Sequence, residues 1–120
     1  MINVKDQVYD VIKGLCENVT DSYPSDWATL PAIQYVEEDN KVAQWTDGAE
    51  QMSYLRYKID IWHNRSTSDT TLLVDTAISA LGLKRTACQD VADPSGLKHK
   101  VLRYEGVIDV ETQMVFQYNN

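Results

Sequence analysis

The chain has 120 residues, 43% of them hydrophobic and 24% charged, which is the composition of one folded globular domain and excludes a disordered segment. Its net charge of −7, from 11 Lys and Arg against 18 Asp and Glu, argues against stable nucleic-acid binding and against attraction to anionic membranes. The opening MINVKDQVYD has no apolar stretch of signal-peptide length and no later run reaches membrane-spanning length, so the expected compartment is cytoplasm-like.

Taken in order, residues 3–19 carry the first helix pattern. Val4, Val8, Val11, Ile12, Leu15 and Val19 recur at helical spacing, Asn3 is placed to cap, Asp6 follows in the first turn, and Gly14 weakens the last one. Residues 20–31, with Asp21, Ser22, Pro24, Ser25, Asp26 and Pro31, read as a turn-rich connection whose Trp27 and Leu30 tuck against the core.

An extended segment begins at Ala32, with Ile33, Tyr35 and Glu37 on one face. A stronger strand covers 53–63, where Leu55, Tyr57, Ile59 and Ile61 alternate with Arg56, Lys58 and Asp60. These two strands are expected to pair antiparallel. Residues 37–52 between them, EEDNKVAQWTDGAEQM, read as a long polar hairpin loop, with a turn at Asp47-Gly48 and with Val42, Gln44 and Thr46 able to extend the hairpin beyond the body.

A second helix is predicted over 68–81, capped by Thr67 or Ser68 and ended by Gly82, with Leu73, Ala77, Ile78 and Leu81 as its buried face and Val74 alongside. Strands follow at 85–91 and 98–116, separated by an Asp93-Pro94-Ser95-Gly96 turn. Gly106 marks a bulge or bend, and the tail 118–120 reads as loose. The fold class is therefore α+β: an antiparallel or mixed sheet of about four or five strands, in the order α-β-β-α-β-β, with both helices on one face of a single domain spanning 1–120.

No enzymatic constellation stands out. His63 and His99 lie at strand ends without metal-ligand spacing, Cys16 and Cys88 read as small buried hydrophobes, and neither a nucleophile elbow nor a glycine-rich phosphate loop occurs. No cofactor is expected. The acidic group Glu37, Glu38, Asp39, Asp47 and Glu50 would suit a hard cation by residue type, though its spacing matches no calcium loop; it equally suits a basic surface on another subunit. Tyr54 and Trp62 fall on the strand face opposite Leu55–Ile61, and Trp45 sits in the 37–52 segment. Tyr and Trp in such places either fill the second face of the sheet or form an interface.

The succession of a helix, the Leu30-Pro31-Ala32-Ile33-Gln34-Tyr35 strand, the acidic segment and the Tyr54-Leu55-Arg56-Tyr57-Lys58-Ile59-Asp60-Ile61-Trp62 strand resembles the small tail-terminator (tail-completion, head–tail joining) proteins of siphophages and prophages. The 68–81 helix and the run His99-Lys100-Val101-Leu102-Arg103-Tyr104 extend the likeness over most of the chain. The resemblance implies a homo-oligomeric ring, typically a hexamer, that sits on the last ring of the tail tube, ends polymerisation and faces the head connector. DNA would pass through such a ring without stable binding. Carried over to this chain, the subunit-interface candidates are Glu38, Asp39, Lys41, Trp45, Asp47, Glu50, Tyr54, Arg56 and Trp62, with residues 37–52 expected to order on assembly. A head-closure or connector protein, a small metal-dependent enzyme using the acidic segment, and an adaptor for a host protein remain the other readings.

Overall fold

The computed structural model describes residues 1–111 and the backbone of Val115 and Phe116. The elements are α1 (Lys5–Ile12), β1 (Asn18–Thr20), β2 (Ala32–Thr46), β3 (Ala49–His63), α2 (Ser68–Ser79), β4 (Lys84–Val91), β5 (Lys98–Asp109) and β6 (Val115–Phe116). They form the expected α+β architecture, a mixed sheet in the order β1-β2-β3-β5-β4, with β6 on the outer side of β5. All pairings are antiparallel except the short parallel one of β1 with β2.

The alternation read in β3 governs the core. Leu55, Tyr57, Ile59 and Ile61 are fully buried on one sheet face, joined by Ile33 and Tyr35 of β2 and by Leu102, Tyr104 and Ile108 of β5. Val8 and Ile12 of α1 and Val74 and Ile78 of α2 close this layer, so both helices cover the same face. Two phenols inside it meet carboxylates: Tyr57 donates to Glu37 at 2.9 Å and Tyr104 to Asp75 at 2.9 Å. A buried hydroxyl without a partner costs free energy, so these two bonds satisfy the polar ends of the largest core side chains.

Several elements depart from the sequence reading. The first helix stops at Ile12 and a turn follows, so Val19 belongs not to its stripe but to β1, where it pairs with Ile33. Asn3 does accept the Lys5 amide at 2.8 Å, one position before the Val4 cap. On α2 the buried line is Thr70, Val74 and Ile78, with Ala77 and Leu81 packed against the core as expected, while Leu73 is 51% exposed. Gly106 pairs with Leu55 in an unbroken register, and the chain reverses at Val110–Glu111 instead. Cys88 is exposed on the outermost strand, not buried, and Cys16 follows α1 rather than lying in it. Thr112, Met114 and the tail 118–120 lie outside the described residues.

The largest correction concerns residues 37–52. They are not a loop. β2 and β3 continue as a paired ladder to Thr46 and from Ala49, leaving only Asp47-Gly48 as the turn. Both turn residues have positive φ, 55° and 74°, as the tight hairpin turn matched to strand twist requires. Each strand has 15 residues, about 50 Å at about 3.3 Å per residue, against a longest molecular dimension of 52 Å. The segment is an arm already paired, so no loop is left to order on assembly.

Candidate interaction surface: the arm and the open sheet face

The distal half of the arm is wet on both sides. Residues 41–49 are all exposed, including Val42 at 47% and Trp45 at 62%. Strands with two polar faces have no buried side to mark them, yet the Thr46↔Ala49 and Trp45↔Glu50 pairs hold this ladder together. Its base is tied to the body on the helix side. The Ile2 amide donates to Ser53 Oγ at 3.2 Å, Asn40 Nδ2 donates to the Ile2 carbonyl at 2.7 Å, and the N-terminal amine pairs with Glu50.

On the face away from the helices, charged side chains replace a second core. Glu38 sits at a bulge in β2, where the register shifts between Glu37 and Asp39. Its carboxylate accepts two bonds from Arg103, at 2.9 and 3.4 Å, and Arg56 Nε stands 3.3 Å from the same carboxylate without hydrogen-bond geometry. Burial by itself would raise Glu38, but the hydrogen bond and charge of Arg103, with Arg56 and Lys58 behind it, hold its carboxyl below the usual range. Burial would likewise lower Arg56; Glu38 and its neighbours raise it instead. Tyr54 donates to Glu105, and Lys41 lies 4.9 Å over the Tyr54 ring.

The lower end of the same face is closed by the 20–31 and 92–97 connections. Trp62 is 3% exposed there, stacked on His99 at 4.5 Å and met edge-on by Trp27 and Tyr23. Its Nε1 donates to Asp93 at 3.2 Å, and His99 Nε2 lies 2.8 Å from the buried Asp60. Trp27 thus tucks its loop down as expected, but onto the face without helices.

The nine candidates therefore divide. Glu38, Asp39, Lys41, Tyr54 and Arg56 gather on the open face next to the arm, while Trp45 and Asp47 stand at the arm's end. Glu50 points to the N-terminal amine and Ser53, an internal role. Trp62 is a correction: it belongs to a buried aromatic cluster and offers no surface to a partner. Arg103, Lys58 and Glu105 complete the open face and were missed as site residues. Strand alternation with Arg56 through the β3–β5 register was the signal that would have found them.

Among the described residues, no three His, Cys, Asp or Glu side chains gather to hold a metal ion, and no helix is long and apolar enough to cross a membrane. No family model matches the chain, and no curated protein matches it.

Proposed function

We propose that the chain is a phage virion assembly subunit that acts by protein–protein binding: a tail terminator that caps the tail tube, ends its polymerisation and forms part of the head–tail joining interface. The observation that carries this reading is the preformed arm, a two-stranded projection with an exposed Trp45 and Val42 near its end and a charged sheet face at its root. Aromatic side chains on a rigid support bind with little loss of conformational freedom, which suits an element that must seat on a repeating protein surface. In this reading the partners are further copies of the chain in a ring, a hexamer by family resemblance, with the tail tube protein on one side and the head connector on the other. The chain would act at the head-proximal end of the tail, after assembly in the host bacterial cytoplasm. Catalysis has no part in it.

The test is a phage carrying the gene with residues 42–49 removed, which shortens the arm above the Lys41↔Tyr54 pair. Overlong tails that fail to join heads are expected in electron micrographs. Normal tails with leaky heads would move the chain to the head-closure connector, and wholly normal virions would overturn the assembly reading of the arm.

A further inference from the structure

The turn that makes the arm is also a place where the chain can react with itself. Of all the aspartates in the sequence only Asp47 is followed by glycine, and no asparagine is. An aspartate carboxyl and the amide nitrogen of the next residue can close a five-membered imide ring. The ring closes most readily where that next residue has no side chain to crowd the nitrogen.

Three features leave Asp47 open to this reaction. Its side chain is exposed, and among the described residues none offers the carboxylate a hydrogen bond or a cation. The β2–β3 ladder closes at Thr46↔Ala49, so the Gly48 amide lies outside it, and a Cβ built on Gly48 would meet nothing within 4 Å. Residues 41–49 are all exposed, so no packing holds the turn against the swing that brings carboxyl to nitrogen. Other turn aspartates lack this freedom. Asp93 precedes proline, whose nitrogen carries no hydrogen, and its carboxylate is held by Trp62 and the Ser95 amide. Asp26 accepts from the Ala28 amide and the Thr29 hydroxyl, and Asp21 pairs with Lys5.

We infer that Asp47 is a site of spontaneous conversion to isoaspartate, and that the conversion dismantles the tip of the arm. The Gly48 nitrogen attacks Cγ of the protonated carboxyl; a C–N bond forms, and the amide hydrogen leaves with the hydroxyl as water. Water then opens the imide. Breaking the new bond restores aspartate, whereas breaking the original peptide bond leaves Gly48 joined through Cγ. One water is lost and one regained, so the composition is unchanged. The main chain now runs through Cβ and Cγ and is longer by one bond of about 1.5 Å. A two-residue loop with positive φ at both positions cannot absorb that bond, so the adjoining Thr46↔Ala49 and Trp45↔Glu50 pairs open. This inference does not rest on the assembly reading. Within that reading, it limits how long an unassembled subunit keeps a working arm.

The test keeps the folded full-length chain for several weeks at body temperature in mildly acidic buffer, beside a synthetic peptide of residues 42–56. Trypsin releases the same segment from the chain by cutting after Lys41 and Arg56, and Asp47 is its sole Asp or Asn. A second form of this fragment should appear. It should be equal in mass, resist the protease that cuts before aspartate, and accept a methyl group from protein isoaspartate methyltransferase. It should build up in the folded chain within severalfold of the rate in the peptide. Asp47→Asn forms the same imide by expelling ammonia and should convert faster, with the mass change of amide to acid. In the separated converted chain, amide exchange in residues 41–50 should speed up while the β3–β5 core keeps its protection. A single form in the folded chain while the peptide converts, or an Asp47→Asn chain that keeps its amide, would overturn the site. Unchanged protection of the arm after conversion would overturn its effect on the arm.

Discussion

Arg103 on β5 holds Glu38 on β2 with two hydrogen bonds, of 2.9 and 3.4 Å, across the intervening strand β3 and 65 residues of sequence. The bulge at Glu38 brings its carboxylate to this position, and Arg56 of β3 approaches from beneath. One pair thus spans three strands on the face that has no helix layer.

Replacing Glu38 with Gln should lower stability at neutral pH by about 1 kcal/mol or less, since water still reaches both partners. The folded pKa of Glu38 is depressed, so its stabilisation is fully present above the unfolded value of about 4.3 and is lost as pH falls through the folded value. The gap in melting temperature between wild type and Glu38→Gln should therefore be widest near neutrality and narrow progressively as pH falls below about 4.3. A gap that does not change with pH would remove the ion pair from the account.

Tyr57 and Tyr104 make the opposite prediction at the alkaline end. Burial first, then the neighbouring carboxylates Glu37 and Asp75, push both phenols well above their ordinary range. A raised folded pKa means that stabilisation is present below about pH 10 and is lost as pH rises towards the folded value. Phenolate absorbance from these two residues should appear only together with unfolding. Tyr104→Phe should cost about 1 kcal/mol for the lost bond to Asp75 and should remove part of that coupled signal.

The arm depends on the Asp47-Gly48 turn. With φ of 74° at position 48, a β-branched residue there meets backbone strain of about 1–2 kcal/mol. Gly48→Val should speed amide exchange in residues 41–50 and leave protection of the β3–β5 core unchanged. Equal loss in both regions would mean that arm and body unfold as one unit.

The two tryptophans named from sequence should separate cleanly. Trp62→Ala empties a buried cluster and should destabilise the chain by about 3–5 kcal/mol, seen in denaturant unfolding. Trp45→Ala, on an exposed site, should move stability by no more than about 0.5 kcal/mol and instead impair tail completion in a complementation assay.

Much of this fold is written in simple periodicities. The alternation of Leu55 to Ile61 named the core face directly, and the Asp47-Gly48 and Asp93–Gly96 turns follow from residues that tolerate those conformations. Residues 37–52 escaped because both faces of the distal arm meet water, which erases the alternation that marks a half-buried strand. β1 escaped because its three residues continue the spacing of the α1 stripe, so Val19 fits either pattern. Leu73 misled for a related reason: Leu72, Leu73 and Val74 are consecutive, and only the packed sheet decides which of them points inward. Trp62 had the right face but the wrong neighbours, since the loop that covers it is distant in sequence.

The bulge beside Glu38 has a consequence for parity. Below it Glu37 lies opposite Tyr57 on the helix side, and above it Asp39 lies opposite Arg56 on the other side, so one surplus residue resets which odd and even positions look each way. Deleting Glu38 alone would let the Glu37↔Tyr57 and Asp39↔Arg56 pairs follow one another directly, so Asp39 and Lys41 would keep the open face and Asn40 the Ile2 carbonyl, while Arg103 would lose its carboxylate. A single-residue deletion at 38 should therefore leave the two faces of the projection in place, whereas a single-residue deletion in the regular ladder just beyond it would exchange them.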